Sequence, residues 1–129
     1  MKVYLTHSSG YDYESELYEP LRRSLAKRVD IFFPHSKENI NTKSKDVIAV
    51  SDVVLAEVSY PSTGQGIELG WADASSTRIV CFYRSGSKIS SSLRFISNEH
   101  IEYTTADDMV AKLDEWFHVH NEHVEPSVN

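Results

Sequence analysis

Asp52-Val53-Val54-Leu55-Ala56-Glu57-Val58-Ser59-Tyr60-Pro61-Ser62-Thr63-Gly64-Gln65-Gly66-Ile67-Glu68-Leu69-Gly70 reads as a strand, a tight turn and the opening of a helix. The apolar core of the strand at 52–58 does not alternate, as expected of a strand covered on both faces. A Pro-Ser-Thr-Gly turn follows, and apolar spacing predicts a helix over 65–75.

Outward from this unit the same alternation recurs. Strands are expected at 2–6, 29–33, 78–83 and 100–103. Helices are expected at 14–27, 42–51 and 106–118, with a short helix or turn at 90–96. Leu17, Leu21 and Leu25 mark the inner face of the first helix; Met109, Leu113, Trp116 and Phe117 mark that of the last. Arg22, Arg23, Lys27 and Arg28 fall on a solvated face. The pattern predicts an α/β, flavodoxin-like three-layer sandwich, a five-stranded parallel sheet with helices on both faces. In that strand order a ligand binds beyond the carboxyl ends of strands one and three, where the loops 7–13 and 59–66 converge.

One domain over residues 1–120 and a polar tail over 121–129 account for all 129 residues. A net charge of −6 and a pI near 5.4 speak against a nucleic-acid polymer or an anionic membrane as partner. No run approaches the ~20 apolar residues of a membrane span, and no leader-like stretch opens the chain. The single cysteine, Cys81, lies in the apolar run Ile79-Val80-Cys81-Phe82-Tyr83 and reads as a buried strand residue. It fits a reducing compartment, and the expected location is cytoplasmic.

Gly64, Gly66 and Gly70 form G-x-G-x-x-x-G, one residue longer than the dinucleotide fingerprint and after the wrong strand. Nicotinamide-cofactor binding is therefore not expected. Such glycines can still let backbone amides approach an anion at a helix N-terminus. Glu68 is expected in the first turn of this helix. There it reads either as a dipole or capping carboxylate, or as an ionised nucleophile. His118, His120 and His123 form H-x-H-x-x-H near the end of the chain, read as chance polarity rather than a metal site.

The segment from Asp52 to Gly70 resembles the nucleoside 2-deoxyribosyltransferase family, and especially its branch of 2′-deoxynucleoside 5′-monophosphate N-glycosidases. The resemblance continues through Ile79 to Arg84 and on to Ser90-Ser91-Ser92, takes in Tyr4, and covers most of residues 2–117. It implies an enzyme in which Glu68, of the Glu-Leu-Gly triplet, attacks C1′ and forms a glycosyl ester that water or a second base resolves. It places Tyr4 beside the nucleophile as its orienting hydroxyl and Ser62 on the phosphate. Ser92 matches a serine lent by a neighbouring subunit, which implies a homodimer. The implied partner is a nucleoside or nucleoside monophosphate, and no cofactor is required.

Two positions depart from the family pattern. The family carries an Asp, the general acid, where this chain has Ser44; Asp46 and Asp12 are the alternative acids. The family's first loop is Gly-rich and bears an Arg, whereas this one is His7-Ser8-Ser9-Gly10-Tyr11-Asp12-Tyr13. Ser8, Ser9, Gly10 and Asp12, with Ser62, Gly64, Gly66 and Ser92, are the candidate substrate-binding residues. Tyr11 or Tyr13 offers a face on which a base could stack. Against the enzyme stands a second reading, a nucleotide-binding sensor that kept the pocket and lost the acid. A flavodoxin-like signalling module ranks third.

Overall fold

Five strands form one parallel sheet in the order β2-β1-β3-β4-β5. They are β1 (Lys2–His7), β2 (Asp30–Phe32), β3 (Val53–Glu57), β4 (Arg78–Arg84) and β5 (His100–Tyr103). The computed structural model describes residues 1–124, with side chains through residue 120. Four α-helices connect and cover the sheet: α1 (Glu19–Arg23), α2 (Ser44–Ala49), α3 (Thr63–Ala74) and α4 (Ala106–Val124). A short 3-10 turn at Ser91–Phe95 takes the place of the expected 90–96 element.

The three layers follow from strand alternation. One face carries Val3, Leu5, Val53, Leu55, Val80 and Phe82 against Leu17, Leu21, Leu25, Met109, Leu113 and Phe117. The other carries Tyr4, Val54, Ala56, Ile79 and Cys81 against Ile48, Leu69, Ala72 and Leu93. Every residue of β3 is buried, as its unbroken apolar run requires. Burial pushes the Cys81 thiol up to about 11, so it is a packed strand residue and not a thiolate.

Two elements differ from expectation. The single helix over 14–27 is instead a π-turn (Glu14–Tyr18), α1 and a 3-10 turn (Leu25–Lys27). Pro20 has no N–H to give the carbonyl four residues back, and the wider π-turn, closed by Glu19 N–H on Glu14 O, runs up to it. Ser24 then leaves helical geometry (φ −133°, ψ −81°), its hydroxyl donating to Pro20 O at 2.8 Å. The inner face still holds, and the outer arginines are paired: Arg22 with Glu14 at 2.8 Å, Arg28 with Asp114. The last helix runs to Val124 rather than 118, into the expected tail, whose residues 125–129 lie outside the described residues. Among the described residues, no helix is long and apolar enough to cross a membrane.

Candidate active site

The site is built at the carboxyl ends of β1 and β3, which stay paired through His7 and Glu57. Ser62 opens α3 in extended geometry (φ −151°, ψ 152°), and its hydroxyl accepts from the Gln65 amide at 3.3 Å. The buried Gln65 side chain turns to the sheet instead of back to the cap. Its Nε2 donates to Glu57 O at 2.7 Å and to Thr6 O at 3.3 Å. One amide group thus ties the carboxyl ends of β3 and β1 to the first turn of α3. One helical turn later, Glu68 comes to lie over β1.

There its carboxylate meets two hydroxyls from one face of β1. Tyr4 Oη donates to Oε2 at 2.8 Å and Thr6 Oγ1 donates to Oε1 at 2.7 Å. Tyr4 Oη also lies 2.7 Å from Ser44 Oγ at the start of α2. A phenol has one proton, so when it goes to the carboxylate the serine hydroxyl is the donor of this second bond. Burial, with the Glu68 charge beside it, pushes the Tyr4 phenol far above its ordinary range, so it stays a donor. Glu68 itself is half-buried, neither sealed in the core nor paired on the outer surface.

The expected place of Glu68 in the helix is corrected. It is not in the first turn of α3, which holds no acidic residue. The helix starts at Thr63, ahead of the predicted 65, so the hydroxyls of Tyr4 and Thr6, rather than the helix dipole, are the groups that meet its charge.

Of the candidate acids, neither joins the cluster. Asp46 is exposed and lines a separate hollow with Lys2, Asp30 and Phe32, towards the amino ends of β1 and β2. The helix start at Ser44 puts the serine, not Asp46, on the side facing Tyr4. Asp12 is exposed and accepts from the Ser15 amide at 3.3 Å, as a helix-opening residue does.

In the first loop, Ser8 is buried and its hydroxyl accepts from the Gly10 amide at 3.0 Å, while Ser9 is exposed. A Cβ on Gly10 would stand 3.4 Å from that hydroxyl, so a small residue fits the turn. The loop is anchored by His7. Its Nδ1–H donates to Ser8 O at 2.8 Å, and Nε2 accepts from Tyr18 Oη at 2.7 Å, which in turn accepts from the His35 amide at 3.0 Å. Tyr13 packs into this cluster, 4.7 Å from His7 and 5.0 Å from Tyr18 between ring centroids. Tyr11 lies against Tyr60 at 4.5 Å.

Ser62, Gly66 and Ser92 line one cavity of about 300 Å³ with Val58, Leu69 and Leu93; Glu68 is not among its lining residues. Ser62 and Ser92 are therefore brought together within a single chain. A Cβ on Gly64 or Gly66 would meet nothing within 4 Å, so neither glycine is demanded by close packing.

Sequence reasoning missed Thr6 and Gln65. For Thr6 the signal was present, since it lies two residues from Tyr4 and must share its face of the strand. Gln65 carries no such signal, because its role depends on where two strands end. Also unforeseen is Glu57, only 1% exposed, whose carboxylate accepts from the Ser59 amide at 2.9 Å, the Ser59 hydroxyl at 2.6 Å and Tyr103 Oη at 2.5 Å.

Sheet order and site together define a flavodoxin-like α/β protein with a half-buried, hydroxyl-held carboxylate at its switch point. Comparison with known proteins narrows the class. A Trichoplax adhaerens protein named 2′-deoxynucleoside 5′-phosphate N-hydrolase 1 is 30% identical over 122 residues, covering 82% of this chain and 85% of that one. A 5-hydroxymethyl-dUMP N-hydrolase from Danio rerio is 28% identical over 91% of this chain and 96% of its own. The solved CMP N-glycosidase of Clostridium botulinum superposes with a TM-score of 0.66, covering 88% of this chain and 99% of that one at 22% identity. No protein-family model matches the chain. The chain belongs to the 2′-deoxynucleoside 5′-phosphate N-hydrolase family, the branch of the nucleoside 2-deoxyribosyltransferases that its central segment resembles.

Proposed function

We propose that this protein hydrolyses the N-glycosidic bond of 2′-deoxynucleoside 5′-monophosphates through a glycosyl ester on Glu68. The observation that carries the reading is the Glu68 carboxylate held by Tyr4 and Thr6 on one face of β1. Named activities of the relatives supply the bond and the substrate class.

In the first step a Glu68 oxygen attacks C1′, the C1′–N bond breaks, and its electron pair leaves with the base. Tyr4 and Thr6 hold the carboxylate in line while its charge is spent. With Asp46 facing another hollow and Asp12 committed to a helix start, the departing base takes its proton from water. In the second step water attacks C1′, the ester bond breaks, and deoxyribose 5-phosphate and the free carboxylate result. The first amides of α3, at Thr63 and Gly64, have no partner within the helix; with Ser62 and the Ser8–Ser9–Gly10 turn they form the cradle for the 5′-phosphate. A homodimer and a cytoplasmic location belong to the same reading, although Ser92 of the same chain already lines the cavity beside Ser62; a single cysteine, with no partner for an intramolecular disulfide, suits a reducing compartment.

The test is incubation with a panel of deoxynucleosides and their 5′-monophosphates, with free base followed by chromatography. Wild type should release base and Glu68→Ala should not, at unchanged thermal stability. Base release by Glu68→Ala at the wild-type rate would remove Glu68 from the chemistry. One observation favours the sensor reading instead: Ser44, a group with no acidic proton, occupies the place beside Tyr4. Tight binding across the panel with no base released would establish that alternative.

A further inference from the structure

We propose that Thr6 is a positioning residue for the transfer of the sugar to Glu68, fixing the plane of the attacking carboxylate. The inference rests on the reading of Glu68 as nucleophile. A carboxylate held at one oxygen can still turn about its Cγ–Cδ bond; held at both, it cannot. Tyr4 holds Oε2 at 2.8 Å and Thr6 holds Oε1 at 2.7 Å. Both donors stand on one face of β1, a strand hydrogen-bonded on both sides, to β2 and β3.

Thr6 is suited to this by its own restraints. It is fully buried, and its β-branched side chain has few rotamers to choose from. Its carbonyl accepts from Gln65, on the same helix as Glu68, so donor and carboxylate are tied to one another twice. Each carboxylate oxygen accepts at two positions, so one Thr6 bond and one Tyr4 bond leave a free lone pair on each oxygen for C1′. As the C1′–O bond forms, one oxygen gives up its charge and the other becomes the ester carbonyl. A donor already in place on either side needs no rearrangement during that change. Without the Thr6 hydroxyl, Oε1 would face an apolar wall and the carboxylate would rotate towards solvent.

The experiment compares wild type, Thr6→Val, Thr6→Ala and Thr6→Ser for kcat, KM and melting temperature on one deoxynucleoside 5′-monophosphate that the wild type cleaves, with Glu68→Ala as control. Thr6→Val preserves volume and removes the donor. It should lose about 10- to 100-fold in kcat with KM within about twofold of wild type, the pattern of an interaction with the reacting group. Thr6→Ser should recover most of the loss. Thr6→Ala reports the same loss of the donor should the valine variant fail to fold. An unchanged kcat in the folded Val or Ala variant would overturn the proposal while leaving the nucleophile intact, and so would a Ser variant as impaired as Val. Failure of the wild type to release any base would instead strike the hydrolase reading itself, and this proposal with it.

Discussion

Tyr4 and Glu68, 64 positions apart in the chain, are joined by a hydrogen bond of 2.8 Å from phenol to carboxylate. The same phenol meets Ser44 at 2.7 Å, so β1, α2 and α3 are linked at one oxygen atom. Replacing Tyr4 by Phe removes that oxygen and keeps the ring, which stacks on Phe32 at 5.5 Å. The expected outcome is a fall in kcat of about 10- to 100-fold, because a donor to a charged group is lost where it cannot be replaced from the core. Stability should drop by no more than about 1–2 kcal/mol, since the packed volume is unchanged. Urea titration and steady-state kinetics on the same preparation separate the two effects.

Ser44 makes a sharper prediction about the leaving group. Beside Tyr4 it offers a hydroxyl and no acid, so the base departs with its electron pair and must be stable as an anion or be protonated by solvent. Introducing a carboxyl there, Ser44→Asp, should speed the release of poorly leaving bases by about tenfold or more, within the range of general acid catalysis. Bases that already leave well should gain little. Asp46→Asn and Asp12→Asn should leave base release near the wild-type rate. Rates measured across bases of graded acidity decide the matter; an Asp12→Asn variant slowed about 100-fold would assign the proton to Asp12 instead.

What the sequence made legible divides by the range of the interactions. The unbroken apolar run of β3 and the leucine spacing of the first helical segment are local: the one called for a strand covered on both faces and the other for an inner face at Leu17, Leu21 and Leu25, and both are found. Glu68 was visible as a candidate because its segment is one continuous motif. Its electrostatic setting was not, because the groups that hold it lie on β1, and the helix start at Thr63 moved it out of the first turn. The break in the first helix follows from Pro20, whose presence was legible but whose cost was outweighed in the spacing by three well-placed leucines. Asp46 against Ser44 turned on a shift of one or two residues in a helix of six, below what periodicity resolves.

Gln65 should prove structural in a way that its helix-opening position in the sequence conceals. Its side chain serves two carbonyls, Glu57 O and Thr6 O, at 2.7 and 3.3 Å in buried surroundings. Gln65→Leu would leave both without this donor, at a cost of about 1–3 kcal/mol for a buried group left unsatisfied. Because those carbonyls set the distance between β1 and α3, base release should fall along with stability. A leucine variant as stable as wild type would show that the ends of β1 and β3 need no such clamp.

The anchored first loop carries a pH signature. Burial lowers His7 to about 4, with its Nδ1–H on Ser8 O and the nearby His35 ring as lesser influences. In the unfolded chain the same imidazole titrates near its ordinary value of about 6.5. Between these values the unfolded chain holds a proton that the folded chain does not, so stability rises with pH across the window and is lost as pH falls through it. Above about 6.5 both states are neutral and the dependence on this group vanishes; below about 4 both are charged and the loss is complete. The expected penalty at the bottom of the window is on the order of 3 kcal/mol. His7→Gln lacks the titration, so its melting temperature should fall less than that of wild type between pH 7 and 4.5, even if it starts lower. Parallel melting curves for the two proteins across that range would mean that His7 keeps its ordinary proton affinity in the fold, and that the neutral chain from Tyr18 through His7 to Ser8 does not hold the loop.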